Sequence, residues 1–203
     1  MAADAELGIG EIDPPLLSGY PLLQALVGIR LRSVRDSESR RNLTWLSDIV
    51  AAMGLINRRV VEGGSVDFAA YLDDAAGFWR RACETRGVRI DLRAAPTALP
   101  ESHVLPLAII VHELMSNAVR HAFPDDRRGS IAIACSRASD GVSLVVRDSG
   151  IGADDLAKGD GLTLVEGLVA HLGGALVIES VAGAGVGIRV RLPIRPDTLT
   201  PAP

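Results

Sequence analysis

Between residues 20 and 61 the apolar positions fall at helical intervals. Leu22, Leu23, Leu26, Val27, Ile29 and Val34 recur behind Pro21, a residue suited to the first turn of a helix, where its missing N–H has no partner to lose. The polar stretch Asp36-Ser37-Glu38-Ser39 supplies turn and capping chemistry. A second helical pattern follows over Leu43, Leu46, Val50, Met53 and Val60. The expectation is two antiparallel helices, about Pro21–Val34 and Arg40–Val61. Such a hairpin cannot bury both apolar stripes by itself, and a homodimer closing into a four-helix bundle would cover them. Residues 1–18, with their Gly, Asp and the Pro14-Pro15 pair, read as a flexible leader.

Gly63-Gly64-Ser65 breaks the pattern and introduces a third helix, expected over about Asp67 to Arg86. At Val88 the period changes to two: Val88, Ile90 and Leu92 alternate with Arg89, Asp91 and Arg93, the signature of a half-buried strand. Pro96 and Pro100 mark a loop. A strongly apolar helix runs from about Leu105 to Ala122 and stops at Phe123-Pro124-Asp125-Asp126. Strands are expected at Ile131–Cys135 and Val142–Arg147, a helix from Gly161 to Gly173-Gly174, and final strands at Ala175–Glu179 and Gly187–Leu192. The order after Gly87 is strand, helix, strand, strand, helix, strand, strand. That order describes a sheet covered by helices on one face, so the fold class is α+β: a helical hairpin (19–64) followed by an α/β sandwich (65–203).

Composition sharpens this picture. Of 203 residues 48% are hydrophobic but only 3% aromatic, and a mean hydropathy of +0.25 means the chain can bury a real core. The aliphatic bias suits helix and sheet packing and offers little for stacking bases. A net charge of −4 and a pI near 5.6 argue against binding nucleic acid. The basic residues are nearly all Arg, Lys158 being the one Lys, and along the chain they are scattered. Cys83 and Cys135 lie too far apart in sequence to suggest a disulfide framework or a zinc site, and read as small buried hydrophobes in a reducing cytosol. The N-terminal residues carry acids where a signal peptide carries bases, and no apolar run approaches the roughly 18 residues of a membrane span. The expectation is a soluble, cytoplasmic protein with no membrane association.

Four segments carry candidate chemistry. In HELMSNAVRHAF, His112 to Phe123, Glu113, Asn117 and Arg120 or His121 share one face of an apolar helix. They form either a solvated stripe or a set comprising a carboxylate to activate a hydroxyl or water, an amide oxygen for Mg²⁺ and a cation for phosphate. DSGIG, Asp148 to Gly152, ends an apolar strand. It is an ordinary turn signal, or else a site where Asp148 accepts a hydrogen bond from an exocyclic amine while glycines let backbone lie against a flat base. Gly159 to Gly161 open a helix, as a simple cap or as an anion site at its N-terminus. Gly183-Ala184-Gly185-Val186-Gly187 precedes the last strand and reads as a hairpin loop or a fourth glycine box.

In this order and spacing the four segments resemble the N, G1, G2 and G3 boxes of the GHKL ATPase superfamily over Pro106 to Leu192. The phrases HELMSNAVRHAF, AHLGG and IRVRLP are similar to those of bacterial sensor histidine kinases with a short nucleotide lid. The resemblance implies ATP as ligand, Asn117 on Mg²⁺, Glu113 as catalytic carboxylate and Asp148 on adenine. It also implies Gly150, Gly152, Gly161 and Gly185 lining base and phosphates, with Arg120 and His121 near the phosphates. The hairpin is similar to that subfamily's dimerisation and phosphotransfer helices.

There the chain departs from the pattern. Where the family has a phosphate-accepting His, this sequence has Leu16, Leu17, Ser18 and Gly19, and its four histidines, His103, His112, His121 and His171, all follow residue 100. Only Ala153 to Asp160 separate Gly152 from Gly161, and Thr163 stands where the third box usually has another glycine. These features imply a degenerate kinase core that binds Mg-ATP, cannot phosphorylate its own hairpin and acts in trans as kinase, phosphatase or regulator, on a response-regulator receiver domain or a histidine-bearing partner. The rivals are an anti-sigma-factor-type serine kinase, which resembles the ATP domain alone, and an interaction protein with a dead pocket. Plainer readings serve elsewhere: His103 as an exposed loop residue, His171 as a partner of a helix C-terminus, Trp45 and Trp79 as packing anchors, and Glu166 as a solvated position.

Overall fold

A computed structural model of the protein describes residues 19–60, 65–154 and 159–194. The leader expected at 1–18, the Gly63-Gly64 break and the middle of the short lid lie outside the described residues. The chain divides into two compact units, Met1–Gly54 and Leu55–Pro203.

In the first unit, α1 (Tyr20–Ser33) carries a proline in its first turn and buries no residue; Leu22, Leu26 and Ile29 are each more than half exposed. Helix α2 (Ser37–Asn57) begins three residues before the expected Arg40, because the Asp36 carboxylate accepts from the Ser39 backbone N–H at 2.7 Å and caps it. Tyr20 at the start of α1 lies against Gly54, near the end of α2. The chain leaves the helix before Val60, which instead bridges to Val66.

The second unit opens with a short strand where a helix was expected to begin. Ser65–Asp67 forms β1, paired antiparallel with β3 (Ala98–Pro100). Three-residue strands are too short to show a period, and Asp67 reads as a helix start because it caps α3 (Phe68–Cys83), accepting from Ala70 N at 3.1 Å. After a 3₁₀ turn at Glu84–Arg86, β2 (Val88–Ala94) leads through β3 into α4 (Glu101–Asn117), which continues as a π-helical turn over Ala118–Ala122. Then come β4 (Gly129–Ala138), β5 (Gly141–Asp148), α5 (Asp160–His171), β6 (Ala175–Val181) and β7 (Gly185–Pro193).

The five long strands form one sheet in the order β2-β4-β5-β7-β6. The β2–β4 pair is parallel and the others antiparallel. Alternation sends Ile131, Ile133, Val142, Leu144, Val146, Val190 and Leu192 inward, all at most 4% exposed. Against that layer lie Leu72 and Trp79 of α3, Leu107 and Ile110 of α4, and Val165 and Val169 of α5.

Helix α4 with its π-helical turn, Glu101–Ala122, is the one described helix long and apolar enough to cross a membrane, contrary to the expectation that no run would qualify. More than half of it is buried, and it is apolar on all sides because it runs through the core. Its first turn also corrects the reading of His103 as exposed. The ring is buried, Nε2 hydrogen-bonds to the Pro193 carbonyl at 3.2 Å and Nδ1 lies 3.0 Å from the Ser102 hydroxyl.

Candidate functional site

The site grows out of the register of β5. Val142, Leu144 and Val146 point inward, so Asp148 occupies the next inward position at the strand's end and is 6% exposed. A carboxylate there needs donors. Its Oδ1 accepts from the Gly150 N–H at 2.8 Å and the Val186 N–H at 3.3 Å, so its orientation is fixed from both sides by backbone. Among the described residues nothing donates to Oδ2.

The loop after Asp148 is pressed between α4 and the β6–β7 hairpin. Gly150 has no room for a Cβ beside the Ala122 carbonyl, and Ile151 N donates to that same carbonyl at 2.9 Å. Gly152 is left-handed (φ +56°), and a side chain there would meet the Val181 carbonyl. Gly183 N donates to the Ile151 carbonyl at 2.6 Å. The Ser180 hydroxyl clasps Ala153, accepting from its N–H at 2.9 Å and donating to its carbonyl at 2.6 Å. The root of the lid is therefore fixed to the edge strand.

These elements enclose a cavity of 530 Å³. Asn117, His121, Asp148, Gly152 and Gly161 line it, so five of the residues singled out from sequence come together. The others stand differently. Gly150 and Gly185 back the wall, Gly185 being buried with a left-handed φ of +89° against the Asp148 carbonyl. Glu113 is 6% exposed, and a Cβ on Gly161 would lie 2.5 Å from its Oε2, so the carboxylate sits directly beneath the start of α5. Arg120 is exposed and outside the wall. Its charge, after burial, contributes to holding the His112 imidazole down at about 4. Thr163 closes the first turn of α5, its hydroxyl donating to the Gly159 carbonyl at 3.2 Å.

Sequence reasoning missed the apolar wall. The register aligns Ile133, Val146, Ile188 and Ile178 in one row across four strands, and the last three floor the cavity beside Asp148. Their inward phase was readable, but their alignment depends on strand pairing that no single segment encodes. Among the described residues no three His, Cys, Asp or Glu side chains converge as a metal cage. A divalent ion here would take the Asn117 amide oxygen from α4 and the rest of its ligands from a phosphate and water, as Mg²⁺ commonly does.

A family model described as a histidine kinase-like ATPase domain matches residues 78–191. Blue-light-activated histidine kinase 1 of Erythrobacter litoralis is 25% identical over 181 residues, covering 86% of this chain and 49% of that protein. The sensor histidine kinase PdtaS of Mycobacterium tuberculosis is 27% identical over 198 residues, 92% of this chain and 39% of that protein. The chain thus spans half or less of these relatives. Its fold is similar to the solved histidine kinase domain of the Erythrobacter litoralis blue-light-activated kinase (TM-score 0.68, 20% identity, 86% of this chain and 93% of that one). It is also similar to full-length ShkA, solved in complex with AMPPNP (TM-score 0.53, 21% identity, 85% and 43%).

Proposed function

The chain belongs to the histidine kinase-like ATPase domain family, and from that premise we propose that it binds Mg-ATP in the 530 Å³ cavity and works in two-component signalling without phosphorylating itself. The observation that carries the nucleotide reading is Asp148. A buried carboxylate, aimed by two backbone N–H groups on Oδ1 and set at the end of an apolar floor, is built to accept from an exocyclic amine on a flat ring. Adenine carries such an amine, and AMPPNP in ShkA is an adenine nucleotide.

In this reading the base lies on Val146, Ile178 and Ile188, and the phosphates reach toward Asn117, His121 and the start of α5. Mg²⁺, held by the Asn117 amide oxygen, would neutralise phosphate charge. Glu113, buried beside Gly161, polarises the attacking nucleophile. The residues at 20–60 contain no imidazole to act as that nucleophile, and all four histidines belong to Leu55–Pro203. His112 and His121 sit on the nucleotide-binding helix itself, and the His112 ring packs at a tilt against Trp79. In this reading the phosphate acceptor lies outside these residues, on a receiver domain or a histidine-bearing protein.

Calorimetry with Mg-ATP tests the pocket. Binding by the wild type and at least about a tenfold loss, roughly 1.4 kcal/mol, in Asp148→Asn is expected; no heat from the wild type at millimolar nucleotide overturns the reading. Incubation with γ-labelled ATP tests the acceptor. No label should remain on this chain alone, and an acid-labile, base-stable label retained on it refutes the trans mechanism. Acid-stable label on an added partner would indicate a serine kinase.

A further inference from the structure

Arginines scattered along the chain are gathered by strand alternation on the face of the sheet opposite the cavity. The outward positions of the five strands hold Arg89, Arg93, Arg147, Arg189 and Arg191 against only Asp91 and Glu179. The whole chain has 21 basic and 25 acidic residues, so this face reverses the sign of the molecule. Arg89 is paired with Asp91 at 2.9 Å. Among the described residues the other four arginines make no ion pair, and all four are exposed.

The registers place them around a shallow floor. One row reads Arg93, Ala134, Val145, Arg189, Val177, and the next reads Ser136, Ser143, Arg191, Ala175. Neither row contains an acid. Between Arg93 on β2 and Arg189 and Arg191 on β7, the floor positions on β4 and β5, Ala134, Ser136, Ser143 and Val145, are small. Helices α3, α4 and α5 cover the sheet's inner face, whereas no described helix of the same unit packs on this outer one. A sheet face bearing small apolar side chains is the surface on which a helical layer ordinarily rests, and unpaired guanidiniums at its margins call for carboxylates.

We propose that the outer face around Arg93, Arg189 and Arg191 is a docking surface for an amphipathic helix of a partner protein. Its apolar stripe would lie on Ala134 and Val145, with carboxylates meeting Arg93 on one side and Arg189 and Arg191 on the other. Nucleic acid is the less favoured occupant because no aromatic side chain stands on these rows to stack a base.

The test uses the full chain and a synthetic helix of about 20 residues with an Ala/Leu stripe flanked by Glu, followed by fluorescence anisotropy. The wild type should bind it, more weakly as salt rises, and the Lys-for-Glu version should not bind. R189E/R191E should weaken binding at least about tenfold while leaving nucleotide binding intact, and the matched control R127E/R128E should not. Equal weakening by both pairs would reduce the effect to net charge and overturn the proposal. Tighter binding of a single-stranded oligonucleotide, lost in R189E/R191E, would overturn it in favour of nucleic acid. A change in oligomeric state on R189E/R191E without peptide would overturn it in favour of a second copy of the chain.

Discussion

His112 and Glu113 are adjacent in sequence and serve opposite walls of α4. The His112 ring packs on Trp79 of α3 with centroids 5.6 Å apart, while Glu113 lies under Gly161 of α5. Burial and the nearby Arg120 charge lower His112 from 6.5 to about 4, so the native state holds it neutral where the unfolded chain would protonate it. Stability from this residue is complete above about 6.5 and is lost as pH falls toward about 4, a difference of at most about 3 kcal/mol. Chemical denaturation across that window should show wild type losing more stability than His112→Phe, which keeps a ring against Trp79 and removes the titration. Parallel curves would show that His112 does not titrate on unfolding. The sequence could not divide this pair, because a helix apolar on every side gives no phase by which to say which neighbour faces which partner. For the same reason it left Arg120 and His121 as alternatives, whereas the π-helical turn puts His121 in the cavity wall and Arg120 outside it.

At the scale of elements, what was legible was what repeats. The period-two strands and the long apolar helix declare themselves in Val88–Leu92, Val142–Arg147 and Leu105–Ala122, and the ordered boxes point to a nucleotide site. What stayed hidden has no local period: the β1–β3 pair, the row of Ile178, Ile188 and Val146, and the clasp of Ser180 on Ala153. Ser180 sits on the inward phase of β6, yet its partner is 27 residues away, beyond the reach of any pattern. Removing that hydroxyl frees the lid root at a cost of about 1 kcal/mol per hydrogen bond. Ser180→Ala should therefore weaken ADP binding several-fold by calorimetry and lower the melting temperature by a few degrees, and Ser180→Thr should restore both. Unchanged affinity in Ser180→Ala would show that the clasp does not shape the slot.

For the whole molecule, α1 poses the plainest demand. A helix with Leu22, Leu23, Leu26 and Ile29 exposed and no buried residue is incomplete as it stands. The proposed four-helix dimer would cover it, and light scattering should return about twice the 21.3 kDa chain mass. A monomer at tens of micromolar would remove that reading. Arginines that look dispersed in one dimension form a face in three, for strand pairing decides charge distribution as much as composition does. The same pairing governs how the pocket comes into being. Asp148 closes one hairpin, Val186 begins the returning strand of the next, and they meet 38 residues apart across the β5–β7 seam. Neither hairpin alone contains the cavity, so a half-assembled chain has nothing for a nucleotide to hold. Occupancy of the site would then slow the opening of the finished sheet while leaving its rate of formation alone, and the ligand would lengthen the protein's lifetime without hastening its birth.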